Sequence, residues 1–168
     1  MIKMLEPMNV EIEQEAATTR RVLERVPFDK LTWKPHPRSM SLGQLAMHVA
    51  TIPGGICTIA QVDEFEVNPA NFNPTVPKNS EEILAALDAS VRTAQEYLCG
   101  VTESSAMGTW RAKVNGKEVM AMPRAAMLRS IMLNHWYHHR GQLSVYLRML
   151  EIPVPMIYGP SADENPFG

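Results

Sequence analysis

The sequence predicts an all-α fold, a four-helix bundle carrying one small β-hairpin near residues 109–122. Three observations lead there. Four long stretches repeat apolar residues at three- and four-residue steps, the spacing that gathers them on one face of a helix. Clusters of Pro, Gly and Asn separate those stretches. A single Asn-Gly pair, Asn115-Gly116, lies between Thr109–Val114 and Lys117–Met120, as a type I′ hairpin turn requires. At 168 residues the chain is expected to be one domain, 1–168, large enough to bury a core without metal or disulfide support.

Met8, Ile12, Ala16, Thr19, Val22, Leu23 and Val26 mark a first helix, which Pro27 ends. Ser41-Leu42-Gly43-Gln44 is a capping box and starts a second helix running towards Gln61. Pro53-Gly54-Gly55 predicts a kink or local break within it. Residues 63–78, with Pro69, Pro74 and Pro77, are expected to form a long crossing loop. A third helix, capped by Ser80, carries Ile83, Leu84, Leu87, Val91, Ala94 and Leu98 and ends at Gly100. Pro123 is placed as the first residue of a last helix that continues to about Leu150, before Pro153 and Pro155.

Charge and cysteine usage exclude several classes. With 16 Lys and Arg against 18 Asp and Glu, the chain has no basic field for a nucleic-acid backbone. Cys57 and Cys99 stand in apolar helical contexts with no CxxC spacing, as reduced thiols do. The first residues lack the apolar core and cleavage site of a signal peptide, so a cytoplasmic location is expected. Residues 39–62 carry no Asp, Glu, Lys or Arg, yet Gln44, His48, Thr51 and Pro53 make a poor membrane span. Burial on two sides explains that stretch better, and one side is expected to be a homodimer interface, with Ile59 as an outward position.

The chemistry concentrates in Asn134-His135-Trp136-Tyr137-His138-His139-Arg140-Gly141-Gln142, which holds three of the five histidines. His135 and His139 lie one turn apart on one face, whereas His138 points about 100° away from His139. An i, i+4 pair is how a helix offers two metal ligands. His48, near the apolar stripe of Leu45, Val49 and Ile52, is the histidine another helix can add. Spacing alone leaves a metal site of His48, His135 and His139 level with a set of satisfied core histidines. His36, between Pro35 and Pro37, is expected in a solvent-facing loop.

The segments Ser41–Ala50 and His135–Leu143, with Trp33-Lys34-Pro35 and Pro155-Met156-Ile157-Tyr158-Gly159-Pro160, resemble the DinB family, also described as DinB/YfiT-like metalloenzymes. The likeness spans nearly the whole chain. It implies an up-down-down-up four-helix bundle, commonly dimeric, in which His48, His135 and His139 hold a divalent metal. Three imidazoles suit zinc or nickel, with iron or copper open to the same donors. Among resembling proteins are thiol-dependent S-transferases, which makes a metal-dependent thiol S-transferase acting on a small molecule, with a low-molecular-weight thiol as partner, the leading expectation. A metal-dependent hydrolase and a non-catalytic, stress-associated metal-binding bundle are the alternatives. No residue is singled out as catalytic; Gln142, three residues after His139, can either orient a bound group or serve as a helix contact.

Overall fold

In a computed structural model, which describes residues 2–68 and 74–167, the chain is mostly helical with a small three-stranded sheet. Helix α1 spans Glu6–Leu23 and α2 spans Leu42–Ile59. A short strand β1, Glu64–Glu66, precedes α3, Ser80–Gly100, and the brief α4, Glu103–Met107. Strands β2, Thr109–Val114, and β3, Lys117–Pro123, lead into one turn α5, Arg124–Met127, a π-helical segment Leu128–Leu133 and α6, Asn134–Met149. Helix α2 packs along α3 and against α6, while α1 packs on α3 and touches α2 and α6. Their apolar faces meet in a core that includes Ile12, Leu45, Leu87, Leu128, Trp136 and Leu143.

The capping box is present as read: Ser41 Oγ accepts from Gln44 N at 3.2 Å and Gln44 Oε1 accepts from Ser41 N at 2.9 Å. Helix α2 then runs without interruption through Pro53-Gly54-Gly55, where the sequence predicts a kink or break. An interior proline costs a helix about 3 kcal/mol, in part because the carbonyl four residues earlier loses its donor. That carbonyl belongs to Val49, and the buried Trp136 indole donates to it at 2.9 Å. The orphaned acceptor is therefore satisfied from α6. Gly54 does the rest: its amide donates to Ser90 Oγ on α3 at 2.8 Å, and a Cβ there would lie 2.8 Å from the Ser90 carbonyl. Absence of a side chain lets α2 and α3 approach this closely. Other side chains hold the end of α2, with Trp110 Nε1 donating to Ile59 O, and Tyr97 Oη and Arg124 Nε both donating to Ala60 O.

Several expectations need correction. The first helix starts at Glu6 and not Met8, and ends at Leu23 and not Val26. Asn79, not Ser80, caps α3, its side chain accepting from Glu82 N at 2.9 Å. Within the expected 63–78 loop, β1 pairs in parallel with β2, so the hairpin is part of a sheet of order β1-β2-β3; residues 69–73 of that loop lie outside the described residues. The alternation Glu64-Phe65-Glu66-Val67, half-buried at Phe65 and Val67, was the strand signal amid the prolines. The hairpin turn is as read, Asn115 and Gly116 taking φ of 52° and 74°. Pro123 closes β3 and caps the final helix from outside it. The final helix also contains a π segment, in which the buried pairs Met127/Met132 and Leu128/Leu133 are five residues apart, the span of a π-helical hydrogen bond.

Helix α2 has the length and apolarity of a membrane-crossing helix, and 61% of that window is buried within the fold. Contact with α3 and α6 accounts for the lack of charge on its buried faces. Ile59 is no simple outward residue: it is half-buried and packs against the core.

Gly54→Ala is expected to lower stability by about 1–3 kcal/mol through overpacking against Ser90. Gly55→Ala, where an added Cβ meets nothing within 4 Å, should be neutral or stabilising by up to about 1 kcal/mol. Urea denaturation of the two variants checks this, and an equal loss in both would show that the Ser90 contact is not what requires glycine.

Candidate metal centre

Facing turns of α2 and α6 build the site, His48 from α2 and His135 and His139 from α6. His48 sits one residue before Val49, and His135 one residue before Trp136, so the indole-to-carbonyl bond lies beside both histidines. It places their rings at a common point. His48 Nε2 and His135 Nε2 are 3.2 Å apart, and ligand atoms of His48, His135 and His139 all fall within 4.8 Å of one another. Ring centroids are separated by 5.3, 4.6 and 4.3 Å for the pairs 48/135, 48/139 and 135/139, with the rings close to perpendicular. Edge-on rings of this kind direct nitrogens inward instead of stacking. Two nitrogens bonded to a tetrahedral ion at ~2.0–2.1 Å stand roughly 3.3 Å apart, so the His48/His135 spacing fits a shared ion.

Gln142 Oε1 lies 2.6 Å from His139 Nδ1. An amide oxygen only accepts, so Nδ1 carries the proton and Nε2 keeps its lone pair. This is the arrangement by which an outer residue fixes the ring and tautomer of a ligating histidine. The sequence left Gln142 between two roles; in the structure its side chain meets the ring of His139. His138 is exposed, and His36 is exposed in its loop, where Nδ1 accepts from Arg38 N at 3.2 Å. Neither joins the cluster. Among the described residues no carboxylate or cysteine joins it either.

All three imidazoles are held in the neutral form that can donate to a metal. Burial, and then the neighbouring His139 and, to a lesser degree, His135, pull His48 down to about 4. His135 is also lowered to about 4, by burial first and then by His139 and His138. His139 is lowered by burial, opposed by its bond to Gln142. On the reverse face of α6, Arg140 is buried and paired with Glu15 at 2.5 Å, with Tyr137 and Tyr158 rings against its guanidinium. That cation faces α1 and the C-terminal tail, away from the triad.

The triad closes one end of a cavity of about 420 Å³ lined by Phe65, Trp110, Ala112, Met120, Ile131 and further apolar residues of α2 and the sheet. The sequence reading placed none of these at the site. Phe65 and Val67 were hidden in an expected loop, and Ile131 reaches the cavity from the π segment.

The DinB family model matches residues 1–165. The Bacillus subtilis protein YrdA is 29% identical over 155 residues, covering 90% of this chain and 86% of YrdA. A DinB-like protein of Bacillus subtilis, YjoA, superposes with a TM-score of 0.67 at 18% identity, over 90% of this chain and 97% of that one. A DinB-like protein of Bacillus cereus gives 0.63 at 24% identity, over 86% and 91%. These structures share the fold.

The lowered histidines have a consequence for stability. Their unfolded value is ~6.5 and the folded value of two of them about 4, so below pH 6.5 the unfolded chain binds more protons than the folded one. Stability of chelator-treated protein should therefore be intact above pH 6.5 and decline as pH falls towards 4. Melting temperatures between pH 7 and pH 4 test it, since the double variant His48→Gln/His135→Gln should show a shallower decline. An unchanged slope would place the acid sensitivity elsewhere.

Proposed function

The chain belongs to the DinB family, and from that premise we propose that His48, His135 and His139 hold a divalent metal and that the protein is a metal-dependent thiol S-transferase acting on a small molecule. Zinc or nickel suits three imidazoles best, and iron or copper is open to the same donors. The observation that carries the proposal is the convergence of three neutral imidazoles at the end of an apolar cavity, with no further His, Cys, Asp or Glu in the cluster among the described residues. When bound, such an ion supplies Lewis acidity, which stabilises a thiolate at neutral pH. The protein's own part is to orient and to exclude water. Gln142 holds the proton on His139 Nδ1, and Phe65, Trp110 and Ile131 wall the cavity with hydrocarbon.

One feature favours thiol transfer over hydrolysis. A metal-assisted hydrolase needs a general acid or base to handle water and the leaving group. Apart from the triad, no titratable side chain lines the cavity among the described residues. Tyr137 donates its phenol proton to Glu11 at 2.7 Å on another face of α6, and His138 is outside the lining. A thiol arriving with its own nucleophilic sulfur asks less of the walls. Hydrolase and non-catalytic metal-binding protein stand as the outcomes that would displace this reading.

The same proposal includes the up-down-down-up order of a four-helix bundle, a cytoplasmic setting that suits free Cys57 and Cys99, and a homodimer through α2. Thr51, Gly55 and Thr58 leave an exposed, uncharged strip on that helix, which supports a two-fold contact.

His139→Ala should reduce bound metal to near zero by native mass spectrometry, while His138→Ala and His36→Ala retain it. Full occupancy in His139→Ala would remove the metal assignment. Turnover of a chromogenic electrophile with a panel of low-molecular-weight thiols should disappear on chelation. Metal without turnover on thiol or hydrolytic panels would favour the non-catalytic protein.

Light scattering at micromolar concentration should give twice 18.8 kDa, and Thr58→Arg should shift it towards the monomer. A monomeric unmodified protein would end the dimer proposal.

A further inference from the structure

The cavity beside the triad has a composition that bears on its ligand. Register places Phe65 opposite Ala112 and Ala112 opposite Met120, so one row of side chains crosses all three strands and faces the histidines. Ala112, the smallest member, lies between two large ones and leaves the space open. Among the described residues, no Lys, Arg, Asp or Glu lines it. At the rim, Val119 is 58% and Met120 39% exposed, apolar surface that folding leaves uncovered. A volume of about 420 Å³ is near the lower end of ligand pockets, which run from ~300 to ~1,000 Å³.

We infer that this cavity holds the apolar body of an uncharged electrophilic acceptor, an aryl or branched alkyl group whose reactive carbon is turned towards the triad. The inference rests on the transferase reading and names the substrate class for it. Away from the triad, an anionic body has no Lys or Arg to meet among the described lining residues and would lose its hydration without compensation. Hydrophilic or carboxylate-bearing portions of the thiol therefore stay outside the cavity. In the transfer, the thiol sulfur forms a bond to the acceptor carbon. The bond from that carbon to its leaving group breaks with its electron pair going to the leaving group, and the thiol proton passes to solvent. Phe65, Trp110 and Ile131 select the acceptor by shape and by the absence of charge.

The neutral fluorophore N-phenyl-1-naphthylamine, titrated into the full chain with and without zinc, is the probe. In metal-free protein, 1-naphthalenemethanol should displace it at a concentration about tenfold or more below that needed for the size-matched 1-naphthoate, as expected for a charge-free cavity. Ala112→Phe should abolish probe binding while helical circular dichroism is retained. Met120→Lys, at a partly exposed rim position that tolerates a charge, should weaken the probe and raise affinity for 1-naphthoate, and it serves where Ala112→Phe does not fold. Equal displacement by the two naphthalenes, or probe binding unchanged in Met120→Lys, would overturn the inference. Native mass spectrometry of the same samples keeps the two ideas apart. Metal bound with no charge discrimination sinks the acceptor class alone, whereas charge discrimination without metal on the triad sinks the transferase reading on which the assignment rests.

Discussion

The hydrogen bond from the Trp136 indole to the Val49 carbonyl fixes the geometry on which the candidate site depends. It exists because Pro53 has no amide proton, so the carbonyl one turn earlier is left without its helical donor. A buried carbonyl without a partner costs about 1–3 kcal/mol, and the indole is the group from α6 that removes this cost. Each end of the bond is adjacent in sequence to a histidine, His48 on one side and His135 on the other. A constraint arising from proline in a helix thus sets the separation of two imidazoles on different helices.

Rotation of α6 about its own axis needs a second restraint, and Arg140 supplies it. The residue follows His139 directly, points to the opposite side of the helix, and is almost wholly buried against Glu15, Thr19 and Tyr158. Breaking one partner of a buried ion pair typically costs about 3–5 kcal/mol, because the remaining charge is left in a poor solvent. With Trp136 bound to α2 and Arg140 bound to α1 and the tail, α6 cannot turn without losing one of them. His135 and His139 stay directed at His48. Separation of functions around the helix follows: the charged network holds α6 from behind, and the triad side remains free of fixed charge.

The sheet completes the site in a different way. Arg124, buried at the start of the final helix, donates to the end of α2 and pairs with Asp63 just before β1. Trp110 from β2 donates to the neighbouring Ile59 carbonyl. Sheet and helices are therefore tied together at the C-terminal end of α2, and the inward row of Phe65, Ala112 and Met120 is held over the histidines. The π segment contributes from the other side, since its extra residue keeps Met132 and Leu133 in the core while Ile131 turns to the cavity.

Local rules determined much of this protein. The capping box at Ser41, the Asn115-Gly116 turn and the helical period of the four long segments each depend on residues within one or two turns, so they could be read directly. The i, i+4 pair of His135 and His139 is local in the same sense; His48 joined it as the histidine another helix can add, and the resemblance to the DinB family favoured the set as a metal site. Tertiary structure decided what depends on partners distant in sequence. Pro53 reads as a break until Trp136, 83 residues later, supplies the missing donor. Glu64-Phe65-Glu66-Val67 reads as loop until β2 offers its edge, because a strand of three residues has no stability alone. The contact of Gln142 with the ring of His139 likewise depends on where packing sets that ring. The cavity could not be read at all, since its walls come from α2, all three strands and the π segment, and only packing brings those together.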